Sequence, residues 1–234
     1  WLDNLLAKTH EHHGPLDMSL QVTIPNEFER LTPYDIGVTA GIETNKISGA
    51  WIEKCNQMQK IITISEHSKK GFDDTVYHAT NNKTGEQVEN FRCNVPVEVV
   101  HYPVKETEAV SQEKLGLSLD FDFNFLTVAQ WSPRKDIENT VRWFVEEFHD
   151  QEVGLVVKTN VAKNCLYDRR LTTGKIRDLL NDEKYVNRKC KVYLLHGYMT
   201  EPEMAALYTN DKIKCYVTTT HGEGFGLPLF EAAY

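Results

Sequence analysis

The sequence predicts an α/β fold built mostly of parallel strands. Short β-branched runs recur along the chain, several of them apolar throughout instead of alternating, and amphipathic stretches with helical spacing separate them. The strand candidates are residues 20–24, 36–40, 60–65, 98–102, 125–130, 154–159, 191–196 and 214–219. Between them, Ile47, Ala50, Trp51, Cys55 and Met58 share one helical stripe, and Ile137, Val141, Phe144, Val145 and Phe148 share another. Thr200-Glu201-Pro202-Glu203 is a capping box with proline in the first turn, which starts a helix.

With 234 residues, 41% of them hydrophobic, the chain has material for one or two domains. Residues 105–112 are polar and charged, and the strand–helix rhythm restarts at Phe125. The expected division is a first domain over 1–104, a linker over 105–123 and a second domain over 124–234. Two such domains are expected to face a cleft, with ligands beyond the carboxyl ends of the strands. The chain opens on Trp1 and closes on Phe230-Glu231-Ala232-Ala233-Tyr234, which reads as the middle of a helix, so both domains are expected to be incomplete pieces of a longer protein.

Lys and Arg number 26 and Asp and Glu 34, a net charge of −8 that argues against coating nucleic acid or an anionic membrane. No apolar run approaches the ~20 residues of a transmembrane helix. The five cysteines are scattered, the nearest two 25 positions apart, which suits core thiols in a reducing, cytoplasmic setting and excludes CxxC-type zinc spacing. The stretch Thr9-His10-Glu11-His12-His13-Gly14 lacks a spaced fourth ligand and is expected to be a polar loop, so no metal site is predicted.

Two segments carry chemistry. His221-Gly222-Glu223-Gly224-Phe225-Gly226-Leu227-Pro228-Leu229-Phe230-Glu231 follows a strand and enters a helix, with two glutamates separated by seven residues. Its glycines permit close backbone approach, a helix start favours an anion, and the carboxylates suit vicinal hydroxyls. Phe125-Leu126-Thr127-Val128-Ala129-Gln130-Trp131-Ser132-Pro133-Arg134-Lys135-Asp136 is a strand, a turn and a helix start, with Arg134 and Lys135 placed to meet phosphate. Trp131 and Trp143 read as packing residues.

Together these segments resemble the retaining GT-B glycosyltransferases of the family 4 type. That family pairs a G-R-x-x-P-x-K-G turn with a later E-G-F-G-L-P-x-x-E motif, complete here from Glu223 to Glu231. Tyr193-Leu194-Leu195-His196-Gly197-Tyr198 with the following Glu203-Met204-Ala205-Ala206-Leu207-Tyr208 resembles the module before that motif. Residues 36–44 and 61–68 resemble the later part of a GT-B acceptor domain. The resemblance implies two Rossmann-like domains and transfer of a hexosyl unit, with retention, from a UDP- or GDP-linked sugar to a glycan, lipid or small-molecule acceptor. It implies no metal and no further cofactor.

Carried across, it gives Lys135 the donor diphosphate, with Arg134 beside it, and Glu231 the ribose hydroxyls. Glu223 with Gly224, Phe225, Gly226 and Leu227 faces the donor sugar and its phosphate. Glu43 falls where a polar group meets the transferred sugar, and the family's arginine falls on Gln130. The competing expectation is a non-catalytic nucleotide-sugar or glycan-binding module of the same fold.

Overall fold

The computed structural model describes residues 2–12, 14–80, 84, 85, 87–103 and 105–234. The chain divides into two compact units, Trp1–Tyr102 and Pro103–Tyr234.

The first unit runs α1 (Leu2–Glu11), β1 (Met18–Val22), β2 (Tyr34–Thr39), α2 (Gly49–Cys55), β3 (Lys60–Thr63), α3 (Glu66–Asp74), β4 (Val76–Thr80), β5 (Gln87–Arg92) and β6 (Val97–Val99). Among the described residues, β1-β2-β3-β6 form a parallel sheet in which Leu20 pairs with Ile36 and Ile36 with Lys60. The helices begin where side chains stop the chain from extending. Ser48 caps α2 by accepting from the Trp51 N–H, and Ser65 caps α3 by accepting from the Ser68 N–H. One face of the sheet buries Ile61 and Val97 against Phe28, Ile47, Ile52, Cys55, Met58 and Phe72.

Not every strand of this parallel sheet is covered on both faces: β1 turns Met18, Leu20 and Val22 to solvent at 58%, 62% and 73% exposure. One expectation is corrected here. Residues 9–11, read as loop, close α1, and the His12 N–H donates to the Lys8 carbonyl at 3.0 Å. His13 of the same stretch lies outside the described residues, and among those described no group of three His, Cys, Asp or Glu is arranged for a metal.

At Gly37, β2 passes against the Phe28 ring so closely that an added Cβ would sit 2.5 Å from it. Gly37→Ala is therefore expected to displace Phe28 and destabilise this unit by about 1–3 kcal/mol. A urea midpoint unchanged from the parent would contradict that packing.

The second unit runs α4 (Gln112–Leu115), β7 (Asn124–Val128), α5 (Ile137–Glu147), β8 (Gly154–Thr159), α6 (Leu166–Leu180), β9 (Lys191–His196), α7 (Glu201–Tyr208), β10 (Ile213–Tyr216) and α8 (Leu227–Ala233). Its strands are parallel in the order β10-β7-β8-β9. Here both faces are covered. Leu155 and Val157 of β8 pack with Ile137, Val141, Phe144 and Val145 of α5 and Ile176 and Leu179 of α6, while Val156 packs the other way with Leu126, Leu119 and Leu207. That explains why β8 is apolar at consecutive positions. Residues 105–123, expected as a linker, contain α4 packed on α7 and place Leu119 in this core.

The strand order sets the position of any site. From β7 the chain steps outward to β8 and β9, then crosses back so that β10 lies on the other side of β7. The loops after β7 and β10 thus leave the same edge of the sheet at the point where the winding reverses. In open α/β sheets that point is where ligands sit.

Candidate functional site

The turn after β7 is built on Ser132. Its carbonyl accepts from the Lys135 and Asp136 N–H groups, each at 3.1 Å, and Asp136 adopts a left-handed conformation (φ 51°) to start α5. The loop after β10 is tied to this turn along its length. The His221 N–H donates to the Arg134 carbonyl at 2.9 Å, the Thr220 hydroxyl to the same carbonyl at 3.2 Å, and the Thr219 hydroxyl to the Asp136 carbonyl at 3.3 Å. These bonds leave the two segments little freedom to slide against each other.

Side chains meet across that seam. The Lys135 Nζ forms an ion pair and hydrogen bond with the Glu223 Oε1. The Arg134 guanidinium donates to the Gly222 carbonyl and lies 3.8 Å from the other Glu223 oxygen. Lys135 is largely shielded, its side chain 16% exposed, whereas Arg134 at 49% remains open to solvent. A carboxylate is thus held between two cations 88 and 89 positions away in sequence, in a partly dehydrated loop where charge is worth more than in bulk water.

Beyond Glu223 the backbone turns through Gly226, which takes a left-handed conformation (φ 75°) that L side chains rarely adopt, and α8 begins at Leu227. Gly224 and Phe225 are half-buried in this loop, the Phe225 ring meeting Phe230 edge-on at 5.0 Å, and Leu227 is exposed. Glu231, one helical face further on, accepts from the Tyr208 hydroxyl at 3.2 Å.

The Gln130 amide donates to the Val161 carbonyl at 2.5 Å, in the loop after β8. Glu43 belongs to the first unit, in the loop after β2, where its carbonyl lies 3.3 Å from the His67 Nε2. His221 places its Nε2 3.8 Å from the Asp136 Oδ2.

Two tyrosines were missed by reading the sequence. Tyr216 ends β10 and donates to the Val128 carbonyl at 3.2 Å. Burial pushes its phenol up to about 12, with the Glu223 and Glu231 charges adding to the rise. Both motif glutamates thus bear on one half-buried phenol. Tyr208 is raised still further, first by burial and then by Glu231. Tyr216 had a positional signal, standing at the carboxyl end of a strand; Tyr208 had none, because only the tertiary fold brings it to Glu231. Lys158, at the end of β8, donates to the Gly197 carbonyl, and burial lowers its pKa.

These phenols set an alkaline limit. An unfolded tyrosine ionises near 10, whereas Tyr216 keeps its proton to about 12 when folded. The folded state then holds a proton that the unfolded state has lost, so stability falls as pH rises through that window. Tyr216→Phe is expected to move the onset of alkaline unfolding upward, as followed by circular dichroism against pH; an unmoved onset would remove Tyr216 from this role.

No family model matches the chain, and no curated protein matches it. Solved structures do. An OtsA apo structure aligns over 99% of this chain and 58% of its own, with a TM-score of 0.58 and 10% identity. The N-terminal domain of a Candida albicans trehalose-6-phosphate phosphatase aligns over 97% of this chain and 56% of its own, with a TM-score of 0.45 and 13% identity. The chain thus spans somewhat over half the length of each of these structures. The fold is α/β of the GT-B type, with two Rossmann-like parallel-sheet units. Among the described residues, no helix is long and apolar enough to cross a membrane.

Proposed function

We propose that this chain carries the donor site of a retaining, metal-independent glycosyltransferase of the family 4 type, moving a hexosyl unit from a UDP- or GDP-linked sugar to a glycan, lipid or small-molecule acceptor. The observation that carries the reading is the contact of Lys135 with Glu223 at the reversal between β7 and β10. A GT-B fold supports it, as does the unbroken motif from Glu223 to Glu231. Five free thiols fit the cytoplasmic location that belongs to the same proposal.

In this reading the bond from the sugar C1 to the diphosphate oxygen breaks and a bond from C1 to the acceptor oxygen forms. The acceptor's proton leaves with the diphosphate. Lys135 and Arg134 stabilise the negative charge that gathers on the leaving group, a term commonly worth several kcal/mol when the cations are already positioned. Glu223 holds Lys135 in place and offers its carboxylate to sugar hydroxyls. Glu231 accepts from the ribose hydroxyls. Glu43 is assigned a polar role toward the transferred sugar on resemblance alone.

Gln130 favours a second reading, a binding module without turnover. A neutral amide turned to Val161 stands where the family has an arginine, so one cation for the diphosphate is missing. Calorimetric titration with UDP, GDP and ADP, followed by an assay for donor hydrolysis, separates the readings. The transferase reading expects selective binding of one nucleotide together with slow hydrolysis of its sugar conjugate. Binding without any hydrolysis selects the module, and no binding overturns both.

A further inference from the structure

The first unit holds two cysteines that the sugar chemistry does not use. Cys55 is the last residue of α2 and is fully buried; Cys93 follows β5 and is half-buried against the same apolar cluster. Asn56, the next residue after Cys55, fixes their relation. Its side-chain Nδ2 donates to the Arg92 carbonyl at 2.9 Å, and its Oδ1 accepts from the Asn94 N–H at 2.8 Å. One amide thus grips the backbone on both sides of Cys93 and ties it to the residue after Cys55, and both cysteines belong to one apolar cluster. The pairing joins positions 38 apart, from elements that pack on one another.

We propose that Cys93 and Cys55 are an oxidisable dithiol, in which the Cys93 thiolate attacks a hydroperoxide and Cys55 resolves the product to an intramolecular disulfide. Chemically, Cys93 takes one peroxide oxygen as the O–O bond breaks, giving a sulfenic acid and hydroxide or alkoxide. The Cys55 sulfur then attacks the Cys93 sulfur, the S–O bond breaks, and water leaves with the Cys55 proton. Two thiols are oxidised and one peroxide is reduced.

The acidity of the pair matches those roles. Interaction with the Cys55 thiol is the largest influence holding the Cys93 thiol below its ordinary pKa, against burial, and the Cys93 Sγ also lies 4.0 Å from the Val95 carbonyl oxygen. Lys69 and Asp73 of α3 act on Cys93 in opposite senses and are themselves paired at 2.8 Å. Cys55 is driven upward by the neighbouring Cys93 and by burial, so it remains the thiol. The attacking sulfur is thus the more accessible of the two and the resolving sulfur the protected one.

The test treats the chain with hydrogen peroxide and counts thiols after denaturation. The expected count falls from five to three per chain, with a linked peptide containing Cys55 and Cys93 and full recovery in dithiothreitol. Cys55→Ser should arrest the reaction at a sulfenic acid that dimedone captures on Cys93, and Cys93→Ser should prevent the disulfide. Cys55→Ala should also slow Cys93 alkylation by iodoacetamide at neutral pH, by about tenfold as its thiolate fraction drops. Dimedone capture on the exposed Cys165 with Cys93 unmodified would overturn the proposal. So would disulfides that link Cys93 to any partner other than Cys55.

Discussion

Lys135→Ala is expected to lower turnover of the nucleotide-sugar by about 10²–10³-fold, the loss typical when a preorganised charge is removed from a developing anion. The substitution acts twice. It withdraws the best-shielded cation of the site, and it releases Glu223 from the ion pair that holds its carboxylate in the loop. Arg134 does not make good the loss, because it is a second, more exposed cation that already acts beside Lys135 and reaches Glu223 only at 3.8 Å. Lys135→Arg should recover part of the loss, since charge returns with altered geometry. Steady-state kinetics with a saturating donor check this; kcat within threefold of the parent for Lys135→Ala would remove Lys135 from the chemistry.

The second large effect is expected at Glu231. Glu231→Ala should weaken nucleoside diphosphate binding by about 10–100-fold, as loss of charge-assisted hydrogen bonds to vicinal hydroxyls generally costs 1.5–3 kcal/mol. The helix should survive, because Glu231 is exposed and α8 is sustained by its backbone bonds from Gly226 onward. An internal control accompanies the affinity. Glu231 helps hold the Tyr208 phenol up, so its removal should let Tyr208 ionise at lower pH, visible in the ultraviolet titration. Unchanged affinity with a shifted phenol would mean that the carboxylate is where it should be but does not meet the nucleotide.

Some of this architecture was legible from residues alone. The bounds of β8 and β9 were readable because both are β-branched or apolar runs with abrupt polar ends. Other runs extend past their strands at the carboxyl edge. Residues 129, 217 and 100 donate one further bond each, to Lys158, Leu126 and Thr63, while the chain is already turning away. The antiparallel ribbon β4–β5 was missed because Gln87, Glu89, Asn90 and Arg92 interrupt any apolar signal, and it joins neither parallel sheet. In the site, Lys135 and Glu223 were found in separate segments by a common argument, the carboxyl ends of parallel strands. Their direct contact depended on which strands are neighbours, and no local pattern states that β10 sits beside β7. Gln130 shows the converse. Its place in the motif is local, but its bond to Val161 is set by the loop after β8.

The central claim is that the loops after β7 and β10 together form a nucleotide-diphospho-sugar site. It is tested most directly by amide chemical-shift mapping of the chain titrated with whichever of UDP, GDP or ADP binds. The predicted result is saturable shifts concentrated in residues 130–136 and 221–231, lost in Glu231→Ala at the same nucleotide concentration. Shifts confined to residues outside both loops, or none with any of the three nucleotides, would contradict it.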